Sequence, residues 1–574
     1  MLPLSSDPPL PVNDLEIARS TPLRPLDDVA RILGLTADDL EPYGRTKAKV
    51  RLEVLDRMAH RPRAKYVVVS AVTPTPLGEG KTVHTVGMSL ALNRIGKRAV
   101  CVIRQPSMGP VFGIKGGAAG GGRSQVVPPE EFNLHLTGDF HAVSAANNLL
   151  AAFLDTSILL DNPLRIDADT VTWRRVVDMN DRALREIEVG LGGKQNGVPR
   201  KTGFDITSAS EVMAILGLSL DLKDLRQRLG RIVVADTQDG GPVTAEDLKA
   251  AGAMAAILRD AIKPTLMQTL EGTPALVHTG PFANIAHGNS SIIADRIALQ
   301  CADFVVTEGG FGADMGAEKF FNIKCRVSGL RPDAAVLVAT VRALKTHSGR
   351  FKIVPGKPLP EGLVREDLDA LAAGMGNLEK QIENLRLHGV PVVVAINVFP
   401  TDTPAEIRLV QESAMKAGAF AAHVSRVYAE GGKGGEELAH ALVKACDEPS
   451  TFRFLYPEEA TLREKIETLA TRIYGAAGVD YSPEAARKLD LYQERGYGRF
   501  PICMAKTQYS LSHDPERKGR PSGYRFQIQD ARVAVGAGFV YPLAGSIMTM
   551  PGLGRNPGGQ RIDLDEQGNI VGMF

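Results

Sequence analysis

Short runs of β-branched and other apolar residues alternate along the chain with longer amphipathic stretches. The short runs contain consecutive apolar residues, as strands buried on both faces of a sheet do. They occupy residues 66–72, 99–104, 232–236, 275–279, 304–308, 336–341 and 391–397. Amphipathic stretches with helical spacing lie between them, for example over residues 82–95, 246–261 and 377–388. This alternation predicts an α/β protein with a doubly wound, mainly parallel sheet.

Two shifts in composition divide the chain of 574 residues, which is long enough for several domains. Residues 350–362 are rich in Pro, Gly and Lys, and a second change falls near residues 446–457. We therefore predict a nucleotide-binding domain that contains the phosphate loop described below, followed by two smaller α/β domains. The predicted ranges are 1–350, 351–455 and 456–574.

Composition and charge narrow the function. Hydrophobic residues make up 44% of the chain, so disorder and fibrous structure are excluded. Lys and Arg number 67 against 66 Asp and Glu. The chain therefore lacks the excess of basic residues that would bind nucleic acid or an anionic membrane surface. The five scattered cysteines favour free thiols in a reducing compartment. With no secretory pattern and no apolar run of about 20 residues, we expect a cytoplasmic protein that acts on small molecules.

Residues 75–82, here called the phosphate loop, read Thr75, Pro76, Leu77, Gly78, Glu79, Gly80, Lys81 and Thr82. They follow a predicted strand and open a predicted helix, the setting of an ATP phosphate-binding loop. The two glycines let backbone N–H groups face phosphate oxygens, while Lys81 supplies a cation and Thr82 a hydroxyl for Mg²⁺. The usual first glycine is replaced by Thr75. A polar turn that only caps a helix is the alternative, and the strand–helix setting favours phosphate binding.

Parallel sheets bind ligands at the carboxyl ends of their strands, and several predicted strands here end in chemically suggestive residues. These residues include Arg104, residues 278–281, residues 308–310 and residues 397–399. If the first two predicted strands are neighbours, Arg104 lies beside the phosphate loop, where its planar fork suits a phosphoryl group or a carboxylate. The alternative for Arg104 is a surface ion pair.

Three further side chains are candidates for the same site. Asp139 is a candidate for contact with magnesium or water at the phosphate site. Lys115, within the glycine-rich residues 109–122, is a candidate second phosphate contact. His287 either binds a ligand or is a satisfied structural histidine.

Two aromatic residues lie in predicted loops, Phe399 after one strand and Tyr428 before a glycine-rich turn. Two such rings can clamp a flat heterocycle, although either ring can equally be part of the core. Residues 397–402 lack the lysine of a guanine-reading motif, so we exclude GTP specificity. Residues 403–406 instead predict a capping box with Pro404 at the first helical position.

Eight collinear segments resemble the formate–tetrahydrofolate ligase family, and the resemblance runs from about residue 40 to Phe574. The segments are residues 75–82, 104–110, 116–122, 136–139, 281–288, 307–321, 501–510 and 548–553. Their length and order make the match far more specific than the phosphate loop alone.

The resemblance implies that ATP, formate and tetrahydrofolate give ADP, phosphate and 10-formyltetrahydrofolate through formyl phosphate. Lys81, Arg104 and Asp139 are the catalytic residues that it implies. Phe399 and Tyr428 match the positions that sandwich the pterin. The family pattern also implies a nucleotide pocket bordered by Pro551, Gly552 and Leu553, magnesium bound with ATP near Thr82, a monovalent cation (K⁺ or NH₄⁺) near Gln105, and a homotetramer.

Four residues depart from the family pattern: Gln105 stands where many members have Glu, Val83 replaces a hydroxyl residue, Arg123 replaces Tyr or Lys, and Tyr428 replaces Trp. Two other hypotheses therefore stay open. One is a phosphate-loop ATPase that acts as a switch, and the other is an inactive homologue that binds folate or nucleotide. A requirement of ADP release for both formate and tetrahydrofolate distinguishes the ligase from both.

Overall fold

A large, mainly parallel sheet forms the centre of the computed structural model, which describes residues 13–115, 118–354, 358–545 and 547–573. Its strands are β1 (Leu40–Pro42), β2 (Ala48–Val50), β3 (Lys65–Ala71), β4 (Ala99–Ile103), β5 (Gly120–Gly121), β6 (Ser124–Val127), β7 (Thr265–Thr269), β8 (Pro274–Val277), β9 (Phe304–Glu308), β10 (Ala334–Ala339), β11 (Val392–Asn397) and β12 (Ala421–Ser425).

The strand order is β1-β2-β7-β8-β4-β9-β3-β10-β11-β12, with β6 paired to β7 and β5 paired to β6. From β8 to β12 every neighbouring pair is parallel, whereas β1, β2, β7 and β8 pair antiparallel at the other end. The predicted α/β class with a mainly parallel sheet is confirmed.

Helices connect the strands and cover the sheet. Those of seven or more residues are α1 (Asp14–Ser20), α2 (Leu26–Ile32), α3 (Lys81–Arg94), α4 (Asp139–Leu159), α5 (Glu211–Leu218), α6 (Leu222–Gly230), α7 (Ala251–Ile257), α8 (Ile292–Cys301), α9 (Val341–His347), α10 (Leu368–Leu387), α11 (Pro404–Lys416), α12 (Glu436–Asp447), α13 (Leu462–Thr468) and α14 (Pro483–Glu494). The predicted capping box of α11 is confirmed, since Thr403 and Glu406 each accept a hydrogen bond from the other's backbone N–H.

The strand predicted over residues 232–236 forms, but it does not join the central sheet. Residues Val233–Asp236 are extended, but they pair antiparallel with Pro242–Thr244, outside the central sheet. The chain reverses directly after this strand, where the Thr237 N–H donates to the Gly241 carbonyl over 2.7 Å. A tight turn of this kind joins antiparallel strands, whereas a parallel neighbour in the central sheet requires a longer crossover connection. The helix predicted over residues 246–261 is correspondingly short and spans only Ala251–Ile257.

Of the two predicted domain boundaries, the one near residue 350 lies between two paired strands, and the one near residue 455 precedes a separate hydrophobic cluster. Strands β10 and β11, which lie on either side of residue 350, pair directly in one ladder, with Ala335 opposite Val392. Beyond residue 455, a separate hydrophobic cluster forms around residues such as Ile466, Tyr474 and Phe526. The division into three domains stays a prediction.

Helix α4 is the one helix of the described residues that is long and apolar enough to cross a membrane by length and composition alone. It begins at the buried Asp139, and one side of it enters the main hydrophobic core. The side chains in the core are Phe140, Val143, Ala146, Leu150, Ala151, Leu154 and Ile158. We therefore assign α4 to the packing of the fold.

Candidate functional site

The phosphate loop joins the end of β3 to the start of α3 at the carboxyl edge of the sheet. Gly78 and Gly80 have φ values of +74° and +81°, a left-handed conformation that favours glycine. At Gly80 a β-carbon would also lie only 3.0 Å from the Asn397 side-chain nitrogen. Because Gly80 is the N-cap of α3, the free N–H groups and the positive end of the helix point toward the loop.

Glu79 closes the loop on itself. Its carboxylate accepts a hydrogen bond from the Thr75 N–H over 2.9 Å, and the Thr75 carbonyl accepts one from the Gly78 N–H over 3.2 Å. The backbone of Thr75 does not adopt positive φ, so the first loop position needs no glycine here. The Asn397 amide, from the end of β11, donates to the Glu79 carbonyl over 3.2 Å and ties the loop to that strand.

The loop carries two ionisable groups with altered proton affinity. Burial raises the pKa of Glu79 to about 7, against the opposing effect of Lys81. Burial lowers the pKa of Lys81, and the carboxylates of Glu79 and Glu308 oppose that shift. Lys81 is partly buried, and electrostatic interactions are stronger there than at a fully exposed surface. Lys81 therefore presents its charge where an anion gains most from it.

Arg104 and Thr82 meet at one carboxylate, that of Glu308. Glu308 ends β9, which lies between β4 and β3, and its side chain is buried. One oxygen accepts a hydrogen bond from the Thr82 hydroxyl over 2.8 Å, and the other lies 3.5 Å from Arg104 Nε. Arg104 also donates to the Pro281 carbonyl over 3.2 Å. The first two predicted strands are not neighbours, because β9 lies between β3 and β4. Arg104 is connected to the phosphate loop through Glu308, which ends the strand that separates them.

Gln105 follows Arg104 and is almost fully buried. Its N–H donates to the Thr279 carbonyl over 2.7 Å, while its side-chain oxygen has no hydrogen-bond partner among the described residues. Both ring nitrogens of His287 also lack one in the part of the chain that the structure describes. Burial, helped by Lys324, lowers the pKa of His287 well below its ordinary value, so the imidazole is neutral.

The structure does not bring Asp139 to the phosphate loop. Its carboxylate receives two hydrogen bonds from Lys49 on β2, at 2.6 and 2.7 Å, and both side chains are buried. Strands β7, β8, β4 and β9 separate β2 from β3, which is roughly 24 Å across the sheet at the usual strand spacing. Asp139 therefore forms a buried ion pair with Lys49. The predicted contact of Asp139 with the phosphate site is not present in the structure.

The two aromatic residues follow neighbouring parallel strands, Phe399 after β11 and Tyr428 after β12. The Arg342 guanidinium lies 4.1 Å from the centre of the half-buried Phe399 ring. Tyr428 is 50% exposed and donates its hydroxyl to Asp14 over 3.1 Å. Its ring also lies 3.0 Å from where a β-carbon on Gly121 would be. The Arg342 guanidinium therefore covers one side of the Phe399 ring, and Tyr428 presents the more exposed ring of the two.

Residues 548–553 bond to a different part of the chain. The Ile206 N–H donates to the Thr549 carbonyl over 2.9 Å, and Arg185 donates to the Met550 carbonyl over 2.9 Å. The Leu553 carbonyl accepts from Arg182. The described hydrogen bonds of this segment therefore run to residues 181–206. The nucleotide role of Pro551, Gly552 and Leu553 stays a prediction. The side chain of Lys115 lies outside the described residues.

Comparisons with known proteins decide the family. The family model described as formate–tetrahydrofolate ligase matches residues 12–574. The chain belongs to the formate–tetrahydrofolate ligase family. A formate–tetrahydrofolate ligase of Roseiflexus sp. (strain RS-1) is 63% identical over 562 residues, covering 98% of this chain and 100% of that protein. Proteins of the same name from Saccharopolyspora erythraea and Chloroflexus aggregans are 61% and 57% identical, over 98% of this chain and 99% of each relative.

Four residues depart from the pattern of the formate–tetrahydrofolate ligase family, and the structure shows where they lie. Arg123 contributes its backbone to the aromatic region, because its N–H donates to the Tyr428 carbonyl over 2.7 Å. Val83 lies half-buried in the first turn of α3. Gln105 keeps an oxygen at its position, although without the charge of a carboxylate. None of the four departures removes Lys81, Thr82 or Arg104.

We expect Asp139→Asn to destabilise the protein, because it leaves the ammonium of Lys49 buried without a counter-charge. Breaking a buried pair from one side costs about 3–5 kcal/mol. Thermal unfolding measures the loss, and the double variant Lys49→Met/Asp139→Leu is expected to recover much of it. An Asp139→Asn protein of normal stability with little activity would restore Asp139 to a catalytic role.

We expect the stability advantage of Glu79→Gln to grow with pH. Burial raises the pKa of Glu79 from 4.5 to about 7 in the folded chain, so the folded state binds the proton more tightly than the unfolded state. Wild-type stability then falls as pH rises from about 4.5 to 7, by roughly 2 kcal/mol between pH 5 and pH 8. A glutamine side chain does not titrate, so the stability of the variant lacks this dependence on pH. Melting temperatures of both ligand-free proteins across this range measure the effect, and a pH-independent difference would contradict it.

Proposed function

We propose that the protein joins formate to tetrahydrofolate with the conversion of ATP to ADP and phosphate, giving 10-formyltetrahydrofolate. The observation that carries the proposal is the Glu308 carboxylate, which places Arg104 and the Thr82 hydroxyl on either side of one group. A phosphate-binding loop and a second phosphoryl-binding cation thereby face the same space. The names of the relatives, formate–tetrahydrofolate ligases, support this choice of substrates.

Phosphoryl transfer is the first step in this proposal. A formate oxygen attacks the γ-phosphorus of ATP, ADP leaves, and formyl phosphate forms. The protein forms no covalent bond to the substrates in such a transfer, so its contribution to catalysis is to position them and to stabilise the charge of the transition state. Lys81 and the backbone N–H groups of the phosphate loop hold the β- and γ-phosphates, and Arg104 holds the transferring group through its planar fork. Magnesium, when bound with ATP, neutralises phosphate charge, and the Thr82 hydroxyl is a hard oxygen donor suited to it.

Formyl transfer is the second step. The N10 amine of tetrahydrofolate attacks the formyl carbon, and the carbon–nitrogen bond forms as the bond from that carbon to the phosphate oxygen breaks. Phosphate leaves with an oxygen that came from formate, and the N10 proton is released to solvent. Phe399 and Tyr428 hold the flat pterin between the ends of β11 and β12. Arg342, packed on the Phe399 ring, fixes that ring in place.

The proposal extends to the setting of the enzyme. The side-chain oxygen of Gln105, buried and without a hydrogen-bond partner in the described residues, is a neutral ligand for K⁺ or NH₄⁺. The homotetramer follows from the family pattern. A reducing, cytoplasmic location agrees with cysteines that are all free and buried.

A substrate-omission assay tests the proposal. ADP and 10-formyltetrahydrofolate are measured with ATP, formate and tetrahydrofolate present, and with each left out in turn. Product that requires all three supports the ligase. ADP release independent of formate and tetrahydrofolate would instead indicate an ATPase switch, and the absence of all turnover with intact nucleotide binding would indicate an inactive homologue.

We expect Lys81→Ala to lose at least a hundredfold in turnover while it keeps its fold. The variant removes the cation that stabilises charge on the transferring phosphoryl group, and one such preorganised group contributes about 3 kcal/mol to a transition state. The coupled assay measures turnover, and circular dichroism checks the fold. Near-normal turnover in folded Lys81→Ala protein would remove Lys81 from the mechanism.

We expect activation by K⁺ to be weak in the unmodified protein and stronger in Gln105→Glu, because a carboxylate adds a full charge to the ligand set. Activity is titrated with KCl at constant ionic strength, balanced with a bulky cation. Strong, saturable activation that is identical in both proteins would show that position 105 does not set the cation dependence.

A further inference from the structure

We propose that Glu308 is the protein carboxylate of the magnesium site, which it forms with the Thr82 hydroxyl beside the phosphates of ATP. This inference rests on the proposed function, because it assumes that ATP binds the phosphate loop. It assigns to Glu308 a role that the phosphate loop cannot supply by itself, since residues 75–82 contain no carboxylate free to face a metal ion.

The position of Glu308 in the sheet is the first argument. Strand β9 pairs in parallel with β3 on one side and with β4 on the other, so its last residue emerges next to the phosphate loop. In register, Glu308 lies opposite Val69 of β3. In nucleoside triphosphatases with a phosphate loop, magnesium is held by the loop hydroxyl and by an acidic residue of another segment. The end of β9 is the place from which such a residue reaches the Thr82 hydroxyl.

The contacts of the carboxylate are the second argument. One oxygen of Glu308 accepts the hydrogen bond from Thr82 over 2.8 Å. The other lies 3.5 Å from Arg104 Nε, too far for a good hydrogen bond, and it has no hydrogen-bond donor among the described residues. Arg104 Nε is itself buried without a hydrogen-bond partner in the described chain. One oxygen of Glu308 therefore accepts no hydrogen bond in the described chain, and its contact with Arg104 is a long ion pair that leaves room for a metal ligand bond.

The chemistry of the ion is the third argument. Magnesium prefers oxygen ligands, retains several waters, and is usually held by one or two carboxylates together with substrate phosphates. Thr82 and Glu308 supply a hydroxyl and a carboxylate whose oxygens already lie 2.8 Å apart. The other carboxylate of the loop, Glu79, is turned away to the Thr75 N–H. Glu308 is thus the acidic group at this edge that faces the loop hydroxyl.

A purely structural role for Glu308, as the counter-ion of Arg104, makes a different prediction. A counter-ion affects Arg104 and the bound anion but not the preference of the nucleotide site for metal. The distinguishing quantity is therefore the magnesium advantage, defined as the ratio of ADP dissociation constants in EDTA and in saturating Mg²⁺. It can be measured without turnover.

Calorimetric titration of the full-length protein with ADP, in Mg²⁺ and in EDTA, tests the proposal. For Glu308→Gln we expect the magnesium advantage to fall at least tenfold, while ADP binding in EDTA is unchanged or tighter because a negative charge near the phosphates is gone. Binding of Mn²⁺ to the enzyme–ADP complex, followed by electron paramagnetic resonance, is expected to weaken in parallel. Glu436→Gln, a change in an exposed ion pair with Arg94, is the matched control and keeps the wild-type ratio.

Arg104→Ala separates the two roles, because it removes the ion-pair partner and leaves Glu308 in place. The magnesium advantage is expected to survive in Arg104→Ala. A wild-type ratio in Glu308→Gln, or the loss of the ratio in Arg104→Ala alone, would overturn the proposal. If Glu308→Gln does not fold, Glu308→Ala takes its place, and an unchanged ratio in that variant, which has no side-chain oxygen, would equally overturn it.

The wild-type protein distinguishes a failure of this inference from a failure of the proposed function. Wild-type protein that makes 10-formyltetrahydrofolate and has a magnesium advantage, beside a Glu308→Gln variant with the same advantage, contradicts only the role of Glu308. Wild-type protein without metal-dependent nucleotide binding contradicts both the role of Glu308 and the phosphate loop.

Discussion

The parallel pairing of β4, β9 and β3 is the constraint on which the candidate site depends. Backbone hydrogen bonds between these strands hold their carboxyl ends at one edge, so that Arg104, Glu308 and the phosphate loop emerge side by side. All three strands are buried, and a slip in register would withdraw one of the groups from the others. The close approach of charges that phosphoryl transfer requires is thus fixed by the sheet.

A buried polar network supports the phosphate loop from below. The Thr73 carbonyl, just after β3, accepts a hydrogen bond from His347 over 2.7 Å, and Asn377 and Gln381 donate to the Thr73 hydroxyl. Gln381 also donates to Asp314 over 2.8 Å, and Asp314 forms a buried ion pair with Lys506. Burial lowers the pKa of His347 to about 4, so the network stays uncharged at the histidine. These hydrogen bonds hold the start of the loop in one conformation, although His347 Nδ1 is buried without a hydrogen-bond partner in the described chain.

Much of this arrangement is predictable from the sequence, because local patterns determine it. Consecutive apolar residues identify the buried strands, and the glycines and lysine of the phosphate loop identify the start of α3. The pairing of Val233–Asp236 with Pro242–Thr244 is itself local, because the chain reverses over the turn residues Asp239, Gly240 and Gly241, a signal that strand–helix alternation does not use. The place of Glu308 between two strands depends on long-range pairing, which only the structure shows. Asp139 shows the same limit, since its charge suits a catalytic site and only the fold reveals that Lys49 neutralises it.

The mechanism requires formyl phosphate as an intermediate, and the fate of the formate oxygens shows whether it forms. Formate labelled with ¹⁸O is converted to product with ATP and tetrahydrofolate, and the released phosphate is analysed by mass spectrometry. We expect one labelled oxygen in each phosphate, because a formate oxygen becomes the bridging oxygen of formyl phosphate and leaves with phosphorus. Phosphate without label, formed together with 10-formyltetrahydrofolate, would contradict it.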